Sequence, residues 1–165
     1  FGTGLNLLLA WDAWMRAGLD GPLQFTSFEA YPMRPEDMAQ AHAAFPALDG
    51  RRDALTAAWD GTGGVLELPG LRAEIIIGDA RQALPAWQGL ADAWFLDGFS
   101  PAKNPELWGD ALMAEVARHT APGGTASTYT AAGFVRRALG AGGFEVTRIP
   151  GYGRKRHMTR ARMPA

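Results

Sequence analysis

The fold is decided by the stretch Asp92-Ala-Trp-Phe-Leu-Asp-Gly-Phe-Ser-Pro-Ala-Lys-Asn-Pro-Glu-Leu-Trp108. Residues 93–96 are almost wholly apolar, which is typical of a buried strand. The run stops at Asp97, and the glycine and prolines that follow indicate a rigid loop. Because ligands of open α/β sheets bind just outside the carboxyl ends of the strands, Asp97 is a candidate site residue. The alternative is that it only caps the loop or the next helix.

Composition narrows the class of protein. The chain has 165 residues and 47% hydrophobic content, which predicts one domain over residues 1–165. Its formal net charge of -1 gives no global case for a polyanionic partner, so any basic patch must be local. The absence of cysteine excludes disulfides, thiolate zinc sites and a cysteine nucleophile, and we predict no metal site. No apolar run approaches the roughly 20 residues of a bilayer span, which favours a soluble, cytoplasmic protein with no membrane partner.

Strand and helix patterns alternate along the chain, which predicts an α/β fold with a mostly parallel sheet and an antiparallel end. The predicted helices are Leu5–Ala17, Pro35 to about Phe45, Asp49–Trp59, Arg81–Leu84, Glu106–His119 and Ala131–Ala141. The predicted strands are Gln24–Glu29, a hairpin of Val65–Leu68 with Leu71–Ile77, Ala93–Leu96, Thr125–Tyr129 after a turn at Pro122–Gly124, and an antiparallel pair of Phe144–Ile149 with about His157–Met163.

The chain opens with Phe1-Gly-Thr-Gly-Leu-Asn-Leu, which is typical of a glycine turn entering a helix. Such a turn lets a ligand approach the backbone closely, so Gly2 and Gly4 are candidate ligand contacts. The strand that should feed the turn is absent, and we therefore expect this chain to be cut from a longer one. Leu7 occupies the place of the third glycine of the dinucleotide fingerprint, which disfavours NAD or FAD.

Three acids, Glu29, Asp79 and Asp97, each follow or end a predicted strand. At the second strand an acid can accept both hydroxyls of a ribose, and a carboxylate at the next strand can accept from an adenine amine. We expect the three acids to share one rim of the sheet, where together they outline a nucleoside pocket without the phosphate-binding lysine motif of ATP sites. S-adenosylmethionine is the adenosyl ligand that this pattern favours. The alternative for Glu29 is a solvated acid at a strand end.

Five segments carry a resemblance to a known family: Phe1-Gly-Thr-Gly-Leu-Asn6, Phe95-Leu-Asp-Gly-Phe-Ser-Pro-Ala-Lys-Asn-Pro105, Pro122-Gly-Gly-Thr125, Ala132-Gly-Phe-Val-Arg-Arg137 and Gly151-Tyr-Gly-Arg-Lys-Arg-His-Met158. They resemble the methyltransferase domain of the bacterial bifunctional tRNA 5-methylaminomethyl-2-thiouridine biosynthesis protein (MnmC type) and its standalone relatives. The similarity covers nearly the whole chain. The segment around Asp97 is the specific one, whereas many methyltransferases share the glycine turn.

The resemblance implies a class I, Rossmann-like, S-adenosylmethionine-dependent fold that methylates the aminomethyl nitrogen on carbon 5 of the tRNA wobble uridine. By position, Gly2 and Gly4 line the cofactor, Glu29 is similar to the ribose-binding acid and Asp79 to the adenine-side acid. Asp97 matches the acid that handles the substrate amine. The first strand and its acidic cofactor contact are missing here. The two-domain relatives imply a fused flavin-dependent oxidoreductase domain outside this chain.

Candidate substrate contacts flank Asp97 and lie near the end of the chain. Phe99 is a candidate for stacking on an extruded uracil, or it belongs to the core. Lys103 contacts RNA or only braces its loop. The dense basic run at Arg154, Lys155 and Arg156 is a candidate phosphate path, or a solvated face. Further basic residues that can extend this path are Arg136, Arg137, His157, Arg160 and Arg162.

Alternatives to a tRNA-modifying N-methyltransferase remain open from the sequence. One is a methyltransferase acting on another amine, in a small molecule or a protein side chain. Another is a noncatalytic RNA-binding module that keeps the fold and not the cofactor. A nicotinamide oxidoreductase is disfavoured by Leu7.

Overall fold

The computed structural model describes residues 1–153 and 155–165. The chain divides into two compact units, Phe1–Ala83 and Leu84–Ala165, and each unit has its own sheet. No helix among the described residues combines the length and apolarity that crossing a bilayer requires. Helices and strands alternate in both units, which confirms the predicted α/β class.

In the first unit, a three-stranded sheet has the order β1-β3-β2. Strands β1 and β3 are parallel, with Glu29 opposite Ile77, and β2 pairs antiparallel with β3 as the predicted hairpin. Glu29 and the residues after Ile77 therefore leave the sheet at the same edge. The elements are α1 (Leu5–Ala17), β1 (Leu23–Glu29), α2 (Pro35–His42), a 3₁₀ turn (Pro46–Leu48), α3 (Asp49–Ala58), β2 (Gly64–Leu68), β3 (Leu71–Ile77) and the start of α4 (Ala80–Ala86).

Helix α1 covers this sheet through one apolar face. Leu7, Leu8 and Trp11 recur at helical spacing and are buried, as the periodicity requires. The helix ends at Gly18, whose left-handed backbone lets its N–H bond the Met15 carbonyl. These side chains belong to the same buried cluster as the apolar residues of β3 and α3. The core of the first unit therefore lies between α1, α3 and the sheet.

In the second unit, a four-stranded sheet has the order β4-β5-β7-β6. Strands β4 and β5 are parallel, with Phe95 opposite Ser127, while β7 runs antiparallel to both β5 and β6. The segments after β4 and β5 and the loop between β6 and β7 consequently share one edge. The elements are β4 (Ala91–Phe95), a 3₁₀ turn (Pro105–Trp108), α5 (Asp110–Arg118), β5 (Thr120–Thr128), α6 (Gly133–Ala141), β6 (Glu145–Pro150) and β7 (His157–Arg162).

Two predicted helix boundaries are wrong. Helix α2 ends at His42 rather than Phe45, because Pro46 disfavours helical backbone at the residue before it. The N–H of Phe45 instead bonds the His42 carbonyl in a tighter turn. The predicted helix from Glu106 to His119 is broken at Gly109, whose extended backbone separates a 3₁₀ turn from α5.

The predicted turn at Pro122–Gly124 is also wrong, because these residues lie inside β5. The pairing between β4 and β5 shifts there, since Ala91 is opposite Thr120 and Ala93 is opposite Thr125. Proline is tolerated at such an irregularity, where a strand carries extra residues.

Candidate active site

The glycine turn at the start of the chain presents open backbone at Gly2. Both Gly2 (φ +57°) and Gly4 (φ +74°) have left-handed backbone, which side chains disfavour. A Cβ on Gly2 would meet nothing within 4 Å, whereas one on Gly4 would lie 3.1 Å from Leu55 Cδ2 and 3.2 Å from Phe1 Cζ. Gly2 therefore leaves room for a ligand, and the small size of Gly4 serves packing inside the unit.

Glu29 is held against this turn by backbone donors on both oxygens. The Gly2 N–H donates to Oε2 at 2.8 Å, and the Tyr31 N–H donates to Oε1 at 2.7 Å. Burial raises the pKa of Glu29, but these two hydrogen bonds and the positive amino terminus outweigh it, so the pKa lies below the ordinary value. A carboxylate has about four acceptor positions. The two N–H groups and the Phe1 ammonium, 3.1 Å from Oε2, occupy three of them, so a charged Glu29 keeps one for a ribose hydroxyl.

His42 supports the turn from beneath and was missed by the sequence reasoning. It is buried, with 1% of its surface exposed, and its Nε2 lies 2.5 Å from the Thr3 carbonyl between the two glycines. Since a carbonyl only accepts, Nε2 carries the hydrogen. Its position in α2, thirty-nine residues from the turn, gives no sequence signal for this contact.

Tyr31 is a second residue that the sequence reasoning missed. It follows Glu29 at the end of β1, and its side chain is 85% exposed while its N–H is fixed on the carboxylate. An exposed ring beside a candidate nucleoside-binding acid offers a stacking face. Its aromatic identity alone does not report exposure, so the sequence gives no signal for this role.

Asp79 is held differently from Glu29, by a side chain. Arg81 donates through Nε at 3.0 Å and Nη2 at 2.5 Å, and the Arg81 N–H donates to Oδ1 at 2.9 Å. The side-chain hydrogen bonds of Arg81, its N–H and its charge lower the pKa of Asp79 against a small opposing effect of burial. The Asp79 carbonyl also accepts the N–H groups of Gln82 and Ala83. Asp79 thus starts α4, which is the capping role that an acid in this place can have besides binding a ligand.

In the second unit, the loop after β4 is anchored through its backbone. The Leu96 N–H bonds the Ser127 carbonyl at 2.9 Å, which extends the β4–β5 pairing to the residue before Asp97. The buried Trp108 donates its indole N–H to the Phe99 carbonyl at 2.8 Å. This anchoring leaves the Phe99 side chain 74% exposed, which excludes the alternative that Phe99 belongs to the core.

The same loop turns sharply at Ser100 and presents Lys103 outward. The Ser100 carbonyl accepts the N–H groups of Lys103 at 2.8 Å and Asn104 at 2.9 Å. Pro101 is buried, whereas Asp97 and Lys103 are exposed. The loop therefore carries an acid, an aromatic ring and a cation on one rigid, solvent-facing segment.

Tyr129 joins this loop to the β6–β7 loop and was also missed by the sequence reasoning. Its hydroxyl donates to the Gly98 carbonyl at 2.7 Å, and the Lys155 ammonium lies 5.1 Å from its ring centroid. Trp108 packs edge-on against the ring at 6.2 Å between centroids. Burial and the nearby charge of Asp97 raise the pKa of Tyr129, so the hydroxyl remains a donor at neutral pH. The signal was available, because Tyr129 follows β5 as Asp97 follows β4.

The predicted basic run is only partly described, because Arg154 lies outside the described residues. Lys155 and Arg156 are exposed on the β6–β7 loop. Arg160 and Arg162 alternate with buried residues along β7, so they line a face of the sheet rather than its edge. Arg136 and Arg137 lie in the first half of α6, which begins shortly after Tyr129.

The structure brings together two sets of predicted residues. In the first unit, Gly2 and Glu29 are bonded directly, and the Gly78 N–H bonds the Glu29 carbonyl at 2.9 Å, which places Asp79 at the neighbouring strand end. In the second unit, Asp97, Phe99 and Lys155 belong to loops that meet at Tyr129. A common rim for Glu29 and Asp97 stays a prediction.

Comparisons with known proteins give a consistent result. Residues 53–164 match a family model described as S-adenosyl-L-methionine-dependent methyltransferase. The chain is 43% identical over 170 residues to the tRNA 5-methylaminomethyl-2-thiouridine biosynthesis bifunctional protein MnmC of Chromobacterium violaceum, covering 96% of this chain and 25% of that protein. It is 44% identical to the protein of the same name in Caulobacter vibrioides, covering 99% and 29%. This chain thus spans about a quarter of the length of these curated relatives.

A solved structure extends the comparison to three dimensions. The crystal structure of MNMC2 from Aquifex aeolicus superposes with a TM-score of 0.72 at 28% sequence identity, covering 100% of this chain and 53% of that one.

Proposed function

Because the chain belongs to the S-adenosyl-L-methionine-dependent methyltransferase family, we propose that it methylates the aminomethyl nitrogen on carbon 5 of the tRNA wobble uridine. The product of 5-aminomethyl-2-thiouridine is then 5-methylaminomethyl-2-thiouridine. Family membership confirms the predicted enzyme class and cofactor. The likeness to the Aquifex structure confirms the predicted fold. The substrate and the roles of individual residues are the proposal.

The first unit fits an adenosyl group. Gly2 has open space where a side chain would stand, and Glu29 is oriented by two backbone donors with an acceptor position remaining for the ribose. We assign Gly2 and Glu29 to the ribose side and Asp79 to the adenine side, with Gly4 shaping the turn. When bound, S-adenosylmethionine would supply a methyl group activated by its positively charged sulfur, which would leave as the neutral thioether of S-adenosylhomocysteine.

Asp97 acts on the substrate amine in this proposal. A primary aminomethyl group is largely protonated near neutral pH, and only its neutral form has the lone pair that attacks. The exposed Asp97 carboxylate accepts a hydrogen bond from the amine, orients its lone pair and takes up the proton that the nitrogen loses. Fixing the nitrogen in line with the methyl–sulfur bond lowers the barrier further, because positioning replaces a bimolecular encounter.

Phe99, Lys103, Lys155 and Arg156 form the RNA side. Phe99 stacks on the uracil once it leaves the anticodon stack, since base-modifying enzymes act on extruded or unpaired bases. The cations pair with phosphates of the same loop. We also assign Arg154 to this group from its place in the sequence. A tRNA substrate places the protein in the cytoplasm.

The observation that carries the proposal is the identity of 43–44% with MnmC proteins across nearly the whole chain. The exposed Phe99 on a loop anchored by Trp108 agrees with it. Since the relatives are about four times longer, a fused flavin-dependent oxidoreductase domain belongs to the proposal as well.

The test is methyl transfer to defined tRNA by the full-length protein. tRNA bearing 5-aminomethyl-2-thiouridine is incubated with S-adenosylmethionine, and the wobble nucleoside is analysed by mass spectrometry. We expect a gain of one methyl group on the side-chain nitrogen. Binding of S-adenosylhomocysteine without any transfer to this tRNA would favour another amine substrate. Absence of cofactor binding would favour a noncatalytic RNA-binding module.

A further inference from the structure

The β6–β7 loop of the second unit carries an aromatic side chain that the proposed reaction does not use. Tyr152 is 90% exposed, more than any other large apolar or aromatic side chain among the described residues. A single exposed aromatic on a surface needs no special explanation. The surroundings of Tyr152 make it informative.

Backbone hydrogen bonds join the described residues of this loop and hold the backbone of Tyr152 in place. The Gly151 N–H donates to the Arg156 carbonyl, and the Lys155 N–H donates to the Tyr152 carbonyl, both at 3.1 Å. A Cβ on Gly151 would overlap the Lys155 carbonyl, so the loop closes only with glycine there. An aromatic group on a preorganised loop loses little conformational entropy when it binds.

The loop is also tied to the loop that carries Asp97 and Phe99. Tyr129 donates to the Gly98 carbonyl on one side and supports the Lys155 ammonium on the other. Its neighbour Trp108 donates to the Phe99 carbonyl. Two exposed aromatic rings, those of Phe99 and Tyr152, therefore project from two loops that Tyr129 joins, and the Lys155 ammonium lies over the ring of Tyr129.

Exposed aromatic rings interspersed with cations are the arrangement that binds unpaired nucleotides, because every base has a face to stack and every linkage a phosphate to pair. We propose that Tyr152 stacks on an unpaired base adjacent to the uridine held by Phe99, with the Lys155 ammonium on a neighbouring phosphate. Tyr152 is thus a positioning residue for the anticodon loop. This inference rests on the proposed function and adds a second base-binding position to it.

The experiment measures binding of an anticodon stem-loop RNA to the full-length protein by fluorescence anisotropy. Tyr152→Ala is expected to weaken binding by about 5- to 150-fold, as loss of one base–aromatic stack does. Tyr152→Phe keeps the ring and should bind like the wild type. Leu90→Ala is the matched control, since Leu90 is 63% exposed at the opposite edge of the same sheet, just before β4. Tyr152 is so exposed that its removal leaves the fold intact.

An abasic substitution in the RNA identifies the base. Replacing the nucleotide on either side of the wobble uridine by an abasic one should weaken wild-type binding at one of the two positions. At that position, the abasic substitution should cause little further loss of RNA affinity in the Tyr152→Ala variant, because the stacking contact is already absent. Salt dependence separates the cation, because Lys155→Ala should reduce the slope of log affinity against log salt by about 0.7, whereas Tyr152→Ala should leave it unchanged.

Failure of this inference is distinct from failure of the proposed function. Wild-type protein that binds and methylates the RNA, with Tyr152→Ala equal to it in affinity, would overturn the stacking role alone. The same conclusion would follow if the two abasic effects added fully to the Tyr152→Ala effect. Wild-type protein that neither binds nor methylates the stem-loop would instead overturn the proposed function.

Discussion

The two units position their acids in opposite ways. In the first unit, Glu29 is gripped by backbone N–H groups from Gly2 and Tyr31, so its orientation does not depend on any other side chain. In the second unit, the loop that carries Asp97 is fastened by the side chains of Trp108 and Tyr129, which bond its carbonyl groups. In the proposed function, backbone hydrogen bonds orient the acid that contacts the cofactor shared by the family. The loop proposed to contact the substrate is fixed by side chains, so single substitutions can change its position.

The largest effect is expected from Asp97→Ala, which tests the proposed role of the acid in the second unit. Without the carboxylate the amine is neither oriented nor relieved of its proton, and we expect methyl transfer to fall by about 10² to 10⁴-fold. Single-turnover assays on modified tRNA give the rate, and calorimetry with S-adenosylhomocysteine should show unchanged affinity. Asp92→Ala is the control, because Asp92 is exposed at the other end of the same strand. Turnover like that of the wild type would remove Asp97 from the chemistry.

Glu29→Gln tests the backbone grip and should have the next largest effect. Hydrogen bonds to charged groups contribute about 1.5–3 kcal/mol each, and the neutral amide can satisfy only one of the two N–H groups. We expect S-adenosylhomocysteine to bind about 10- to 100-fold more weakly by calorimetry. Glu67→Gln, at an exposed pair with Arg72 on the same sheet, should leave affinity unchanged. Equal affinity in Glu29→Gln would contradict the assignment of Glu29 to the ribose.

Tyr129→Phe sharpens the comparison from the substrate side. It removes one hydrogen bond to the Gly98 carbonyl, which is worth about 0.5–1.5 kcal/mol, and keeps the ring beneath Lys155. We expect kcat to decrease by about 2- to 12-fold with cofactor affinity unchanged. Tyr152→Phe provides a matched loss of a hydroxyl that should not alter kcat. A weaker cofactor affinity in Tyr129→Phe would mean that the tyrosine acts on more than its loop.

The smallest effect is expected from Arg81→Ala, which releases Asp79, the candidate cofactor-binding acid that is held by an arginine side chain. The pKa of Asp79 should rise toward its ordinary value near 3.8, as measured by NMR titration of the carboxyl carbon. Since the folded-state pKa is lowered, the stabilisation is present above the unfolded value and is lost as pH falls through the folded one. The difference in Tm between wild type and Arg81→Ala should therefore vanish in strong acid. Arg72→Ala should leave the Asp79 pKa unchanged, and a rise there would contradict the assignment to Arg81.

Local rules accounted for much of the fold. Helix α1 and the β2–β3 hairpin follow directly from apolar spacing, Gly18 and the Pro69-Gly70 turn. The errors arose where tertiary pairing overrode local turn signals, since Pro122–Gly124 lies within β5 through pairing that the sequence does not display. Gly109 was overlooked inside an otherwise helical pattern.

The sequence predicted the acids of the candidate site, but not the residues that hold the surrounding loops in place. Glu29 and Asp97 stand at strand ends, so topology alone predicts them. His42 in α2 bonds the glycine turn next to Glu29, and Trp108 in the 3₁₀ turn bonds the loop that carries Asp97, through contacts that only folding creates. The ion pair between Asp79 and Arg81 could not be predicted from the sequence either. The Arg81 side chain reaches back to a residue two positions earlier only once α4 has formed.

The hydroxyl of Tyr129 has a consequence for how enzyme rates vary with acidity. Its pKa is raised above the ordinary value of 10.0. The stabilisation from its hydrogen bond to Gly98 is therefore fully present below pH 10.0 and is lost only as the pH rises through the higher pKa of the folded protein. The aminomethyl group gains its reactive lone pair over a lower range. An ascending limb of the pH–rate profile therefore reports on the amine of the RNA, while any descending limb in strong alkali reports on the hydrogen bond between Tyr129 and Gly98.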